Sequence, residues 1–459
     1  MNSTAKLTRH LSKWKDYKDY YKRLFQLGLP ILVTQVGIIV VNFADTMMVG
    51  HYGTNELAAS AFVNSLFVIV TVMQMGFAAG LTPIIGALFG RGEHPNVGKN
   101  LRGALQVNII LSCTFTIIMG GLYFFLDLFG QPEEIMPLIR SYYLIILCTL
   151  LPMALFNTFQ QMFNGITNTR TPMWFILIAN VLNIIGNYIL IFGHFGAPAL
   201  GLIGGGLSTL FARCVAMIGI ILYFAYRHDY RRYREGYALK EKLGEIRMRI
   251  WKTSYPVMIQ SGVECFLWSF GAIVCGWYGK IQLAAFQVVT TVSQLGFMIY
   301  MSFTTAISIL VANFTGRKDW IAVKRVTSAG LHVVLLLATF TSLLFIFAGK
   351  NIIIAFTPDA EVIASALGLL LPMVVYQYMD AVQLGYANAI RGTSFVLPLM
   401  YISVSCYLVI GISVMLWFAK IFEAENVGIY WSFCIALGIA AVLLFFTFRH
   451  IVRKQEALR

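Results

Sequence analysis

Charge is scarce in this chain. Only 12% of its 459 residues are Asp, Glu, Lys or Arg, while 58% are hydrophobic. Ordinary soluble domains carry about 25% charged residues. The composition excludes a water-soluble globule and defines a polytopic helical membrane protein, whose outer surface faces lipid. Catalytic signatures are missing too. The chain has no Walker A loop, no G-x-S-x-G elbow and no H-E-x-x-H pair. That speaks against an ATP-driven pump or a familiar hydrolase, so no enzyme activity and no cofactor are expected. Its seven cysteines form no C-x-x-C pair and all lie in or beside apolar runs. They read as small buried or lipid-facing residues, not as zinc ligands or a disulfide framework.

What is present is a series of long apolar runs. Twelve are expected, at roughly 27–50, 57–80, 103–125, 138–163, 172–193, 200–225, 253–278, 283–311, 327–348, 362–389, 396–418 and 427–448. Each approaches or exceeds the roughly 20 residues a bilayer span needs, and the longer ones imply tilt or protrusion. The first run follows more than twenty mostly polar and basic residues, which does not fit a cleaved signal peptide. Within that tail Leu7, Leu11, Trp14, Tyr17, Tyr21 and Leu24 recur at helical spacing among lysines. The tail is either a helix on the inner membrane surface or a solvated basic arm.

The net charge of +14 does not imply nucleic acid, because the basic residues lie in the gaps between runs. With twelve spans, 29 of the 34 Lys and Arg fall on one side: the N-terminal tail, the even-numbered connections (among them Arg91, Arg170, Arg317 and Arg391), the long segment 226–252 and the C-terminus. That side is the cytoplasm. Arg140, Lys280, Lys350 and Lys420 remain for the other face, and Arg213 lies inside a span. Both termini are therefore expected to be cytoplasmic.

The chain also repeats itself. With the first half shifted by 226 residues, Pro30 falls on Pro256, Gly50 on Gly276, Tyr52-Gly53 on Tyr278-Gly279 and Gly90-Arg91 on Gly316-Arg317. The motif LLPM recurs at 150–153 and 370–373. Six spans per half is an even number, so the halves share one orientation. The expected fold is all-α: twelve transmembrane helices in two six-helix lobes related by a pseudo-two-fold axis along the membrane normal, with a cavity between them suited to alternating access. The expected segments are a cytoplasmic tail (1–26), an N-lobe (27–225), a cytoplasmic linker (226–252), a C-lobe (253–448) and a C-terminal tail (449–459).

Three acids lie within spans: Asp45, Glu264 and Asp380. A charged residue at the centre of a membrane helix costs roughly 2.5–3.5 kcal/mol on insertion scales, so such residues are rarely filler. Asp45 either faces a wet interior or reaches water at the outer end of its helix. The repeat does not copy these acids, since Asp45 aligns with Gly271 and Glu264 with Ile38. Low dielectric favours the protonated carboxyl, and a cation that displaces that proton can be exchanged for it, as an antiporter requires. Arg213 is the single basic residue within the spans that offers itself as a partner. Tyr376 lies one helical turn before Asp380, placed either to bond the carboxylate or a cation or to pack against a neighbouring helix. Asn180, Asn183 and Asn187 share a face of the fifth span, where amides can serve a cation beside Asp45 or tie helices together. Pro30, Pro152, Pro256 and Pro372 are potential kinks. Gly201–Gly206 allows close helix approach or a turn. Phe43, Trp268, Trp277 and Phe286 would suit the wall of a cavity for flat cations, although packing or lipid contact explains each aromatic singly.

Taken with the spans and the repeat, these residues resemble the multidrug and toxic compound extrusion (MATE) transporters, closest to their NorM-type bacterial branch. The stretch NFADTMMVG at 42–50 resembles the branch's first-helix motif, Glu264 its seventh-helix glutamate, and YQYMDA at 376–381 its tenth-helix segment. The resemblance implies export of cationic amphipathic drugs by antiport with sodium ions or protons, from a bacterial inner membrane, by a monomer. It implies one cation site at Glu264, Asp380 and Tyr376, which would hold sodium if sodium is the coupling ion. A second would lie at Asp45, Asn183 and Asn187. Some branches carry an aspartate where this chain has Asn187, which leaves the second site one carboxylate poorer. A lipid-linked oligosaccharide flippase of the wider superfamily is the alternative. It would need a basic cavity, and the spans carry little positive charge.

Overall fold

The computed structural model describes residues 2–239, 243–420 and 425–458, with side chains from Tyr17 onward. Among the described residues every regular element is a helix. Within a bilayer each backbone polar group must be satisfied inside its own segment, and helices meet that requirement. In chain order the α-helices are α1 (Asn2–Tyr52), α2 (Thr54–Ala79), α3 (Leu81–Gly90), α4 (His94–Leu122), α5 (Met136–Cys148), α6 (Leu150–Gly165), α7 (Arg170–Phe192), α8 (Leu202–Tyr226), α9 (Arg231–Ala238), α10 (Gly244–Gly276), α11 (Lys280–Gly316), α12 (Trp320–Phe356), α13 (Ala360–Gly368), α14 (Leu370–Gly392), α15 (Leu397–Ser403), α16 (Ile412–Lys420) and α17 (Glu425–Ala457). A π-helical segment, Val404–Gly411, joins α15 to α16. Eleven stretches are long and apolar enough to cross a membrane, and the bent pair α13–α14 supplies the twelfth. The expected all-helical, twelve-span architecture is the observed one.

The two LLPM motifs acquire a structural meaning. Each opens a helix after a break, at Thr149 between α5 and α6 and at Leu369 between α13 and α14. Pro152 and Pro372 stand in the first turn of the new helix, where a missing N–H costs no internal hydrogen bond. The second break bends its span by 45°.

The chain forms two compact units. One comprises Val33–Met258, and the other the residues up to Leu32 together with those from Ile259 onward. They are called the first and second unit below. The cuts fall inside α1 and α10, two residues after Pro30 and Pro256, and are separated by the same 226 residues as the internal repeat.

In the first unit, one core gathers Phe159, Phe163, Ile220 and Phe224, and another gathers Phe67, Tyr143 and Ile146. Helices α7 and α8 approach closely. A Cβ on Gly186 would lie 2.3 Å from the Ser208 hydroxyl, and one on Gly204 would lie 2.4 Å from the Leu190 carbonyl oxygen. Gly201 has a positive φ of 53° and forms the turn into α8, so the glycine run provides both the turn and the close approach. The connection after α8 is clamped. Its helix α9 lies backbone to backbone on α4, and Arg102 donates to the Leu239 carbonyl at 2.8 Å. Lys240, Glu241 and Lys242, in the middle of the long basic connection, lie outside the described residues.

In the second unit, Phe286, Tyr376, Tyr407, Tyr430 and Phe433 form the largest core. The start of α1 belongs to this unit. Leu24 is fully buried, and the Tyr21 hydroxyl meets His332 Nδ1 at 3.0 Å. This part of the amphipathic stripe therefore packs on α12. The side chains of Leu7, Leu11 and Trp14 lie outside the described residues. Two aspartates start helices by accepting backbone N–H bonds, Asp319 from Ala322 at 3.0 Å and Asp359 from Glu361 at 2.9 Å.

Candidate functional site

The second unit holds the more unusual acid. Asp380, in the middle of α14, is 1% exposed, and neither of its carboxyl oxygens has a hydrogen-bond partner. A buried polar group left this way costs about 1–3 kcal/mol. Tyr376 lies one turn earlier on the same helix. Its hydroxyl bears directly on the Asp380 carboxyl group. The Trp268 ring meets Tyr376 edge-on, with centroids 5.2 Å apart. Glu264 approaches from α10 and interacts electrostatically with Asp380, which brings the two acids of this half together.

Three further side chains complete the cluster, and none had been picked out from the sequence. Tyr300 of α11 is bonded to Thr341 of α12 and faces Asp380 electrostatically. Tyr407, on the π-helical segment, is fully buried; its hydroxyl has no partner, and it interacts with both Glu264 and Asp380. π-helical turns recur at functional sites. Arg391 corrects the view that only Arg213 offers positive charge within the spans. It belongs to the last turn of α14, is 8% exposed and interacts with Glu264. Hydropathy had assigned it to a connection. Its eleven-residue separation from Asp380, about three helical turns, was the available signal that both share a face. Nearby, Gln377 donates to the Ser293 hydroxyl at 3.0 Å, and Gly296 makes room for it: a Cβ there would lie 2.6 Å from the side-chain Oε1 of Gln377.

In the first unit Asp45 is partnered. Its Oδ1 accepts a hydrogen bond from Asn187 Nδ2 at 2.5 Å. Asn183 Nδ2 donates to Thr209 Oγ1 on α8 at 3.1 Å, and Asn187 reaches Asn183 Oδ1 at 3.4 Å. A polar chain thus runs from α1 through α7 to α8. Arg213, one turn beyond Thr209, donates to Thr149 at 2.6 Å and acts electrostatically on Asp45 and on the buried Tyr142. Asn180 stands apart from this chain, its amide against Gly37 of α1, where a Cβ would lie 2.9 Å from Nδ2. Of the four aromatics considered as cavity walls, Trp268 and Phe286 pack in the second unit's core, while Phe43 and Trp277 are exposed.

Among the described residues no three His, Cys, Asp or Glu side chains cluster as metal ligands. Two carboxylates with phenols around them suit a proton, a monovalent cation or an organic cation better than a tightly caged divalent metal.

An all-helical scaffold of apolar spans that carries three acids, Asp380 of them buried, is that of a multi-pass membrane protein. The family follows from direct comparison. The MatE family model matches residues 30–189 and 256–417, and the chain belongs to that family. It is 26% identical over 451 residues to a probable multidrug resistance protein NorM of Mannheimia succiniciproducens, covering 97% of each chain. Another such protein, from Oceanobacillus iheyensis, is 28% identical over 449 residues, covering 95% of this chain and 98% of the relative. Among solved structures, a MOP superfamily transporter from Pyrococcus furiosus superposes with a TM-score of 0.86 at 16% identity, over 95% of this chain and 97% of that one. The eukaryotic MATE transporter AtDTX14 gives 0.86 at 16% identity, over 96% and 98%. These two likenesses establish the shared fold.

Proposed function

We propose that this protein is a secondary active multidrug exporter. It would release cationic amphipathic compounds in exchange for sodium ions or protons through alternating access, as a monomer in a bacterial inner membrane with both termini in the cytoplasm. The observation that carries the reading is Asp380, a fully buried carboxyl group with no partner on either oxygen. Asp380, Glu264 and Tyr376 form the principal cation site in this reading. Asp45, Asn183 and Asn187 form a second site in the other unit. The names of the NorM relatives support drugs as the cargo. No cofactor takes part.

Drug efflux from proteoliposomes tests the proposal. A sodium gradient is imposed at equal pH, then a pH gradient at equal sodium. One of the two is expected to drive efflux of an ethidium-like cation, and Asp380→Asn is expected to abolish it. Transport by that variant at the parent's rate, or efflux indifferent to both gradients, would overturn the reading.

A further inference from the structure

Arg391 is a buried cation with weak company. Its Nη1 donates to Asn388 Oδ1 at 3.3 Å and its Nη2 to Gln260 Oε1 at 3.4 Å, while Nε has no partner. Asn388 and Gln260 are themselves buried and neutral. Among the described residues no carboxylate lies within ion-pair distance of it. A buried guanidinium held by two long neutral contacts is poorly compensated, because desolvating an ion costs several kcal/mol unless a counter-charge offsets it. One counter-charge stands close. Glu264 follows Gln260 by four residues on α10, on the same helical face and one turn along. It is the acid whose field Arg391 feels. The other groups acting on Glu264 are Asp380, Tyr376, Tyr407 and Cys265, acidic or neutral, so among the described residues Arg391 is the fixed positive charge acting on it.

We propose that Arg391 is an internal counter-cation for Glu264, competing with the coupling ion. With the site empty, the guanidinium swings toward Glu264 and neutralises it. When an ion loads, Arg391 withdraws to Gln260 and Asn388. The inference rests on the reading of Glu264 and Asp380 as the cation site. The competition has a use. Two carboxylates in low dielectric would hold a cation too tightly to turn over, and a tethered competitor lowers that affinity without removing either ligand. Gln260 and Asn388 are then the resting place that lets the arginine withdraw. Arg391 is a positioning residue in this scheme, acting through Glu264.

The measurement is the half-saturating concentration of whichever ion drives drug efflux, with full-length protein in liposomes. Arg391→Gln is expected to lower it by about fivefold or more, the lower range of coupling between interacting sites. The maximal rate should fall, because the ion leaves slowly. Arg391→Lys, which keeps the charge, should restore the parent's value. A purely structural arginine tying α10 to α14 predicts lost protein or lost rate with an unchanged half-saturation. An unchanged or raised value for Arg391→Gln overturns the inference. Should that variant fail to fold, Gln260→Leu provides a second test. It removes the resting partner, leaves Arg391 to Glu264 and is expected to raise the half-saturating concentration; no change overturns the inference. Asp380→Asn, run alongside, separates the two levels. Transport like the parent's removes the site reading itself. Lost transport there, with normal ion dependence in Arg391→Gln, removes only the counter-cation.

Discussion

Asp380→Asn separates a residue kept for function from one kept for the fold. The carboxyl group is 1% exposed and both its oxygens lack partners. Each orphaned buried polar group costs about 1–3 kcal/mol, and more if it carries charge. Asparagine has nearly the same size and shape, so packing is preserved while any cost of ionisation disappears. The folded state should then be as stable as the parent or more so, although transport is lost. Two controls calibrate the result. Tyr300→Phe removes the hydroxyl bonded to Thr341 and should cost about 0.5–1.5 kcal/mol. Phe286→Ala empties a site that is 1% exposed, beside Tyr430 and Phe433, and should cost about 3–5 kcal/mol. The assay is thermal unfolding in detergent, followed by intrinsic fluorescence and checked by size exclusion. A fall in the Asp380→Asn midpoint as large as that of Phe286→Ala would show that the carboxyl group holds the helices together, and would refute the reasoning.

Other outcomes follow from the same geometry. Asn187→Asp places a second carboxylate against Asp45, where an amide now donates at 2.5 Å. Two acids that close must share a proton or a cation, so sodium should protect the variant against unfolding more than it protects the parent, by about 2.7 kcal/mol at one hundred times the dissociation constant of the added site; no added protection argues against cation binding there. Gly98→Ala puts a Cβ 1.8 Å from the Tyr233 carbonyl oxygen, which forces α9 off α4. Overpacking of this kind costs about 1–3 kcal/mol, and trypsin should cut faster after Arg231, Arg232 and Arg234. Hydrogen bonds from Asn96 and Arg91 hold the Glu93 carboxyl below the usual range. Its small contribution is therefore present at neutral pH and is lost as pH falls through the acid range. Because the pair is exposed, Glu93→Gln should change stability by about 0–1 kcal/mol, and a larger loss in pH-dependent melting would contradict this.

Much of the fold was legible because membrane insertion writes itself into hydropathy. The spans follow from where charge is excluded. The divided α1 and α10 were not legible, since nothing in an apolar helix states which neighbours each half will bury against. The three acids stood out because each violates the apolar rule at a cost. Asn187 followed from helical spacing. Arg391 was hidden by the same rule that exposed the acids: a basic residue at the end of a hydrophobic run looks like a topology signal, although its helix carries it into the protein. Tyr407 had no signal. It is one of 22 tyrosines, and the π-helical turn beneath it has no sequence signature.

The two units make the same scaffold serve different electrostatics. In the first, Asp45 already has an amide donor, and a polar chain leads from it toward Arg213. An arriving ion there must compete with a hydrogen bond to a charged group, worth about 1.5–3 kcal/mol. In the second, Asp380 has no such amide donor. Under the proposed function, ion binding in the second unit is expected to release more free energy than in the first. The first is better suited to respond to protonation or to a neighbouring change, because its acid starts satisfied. The repeat preserves prolines, glycines and turns but not these acids.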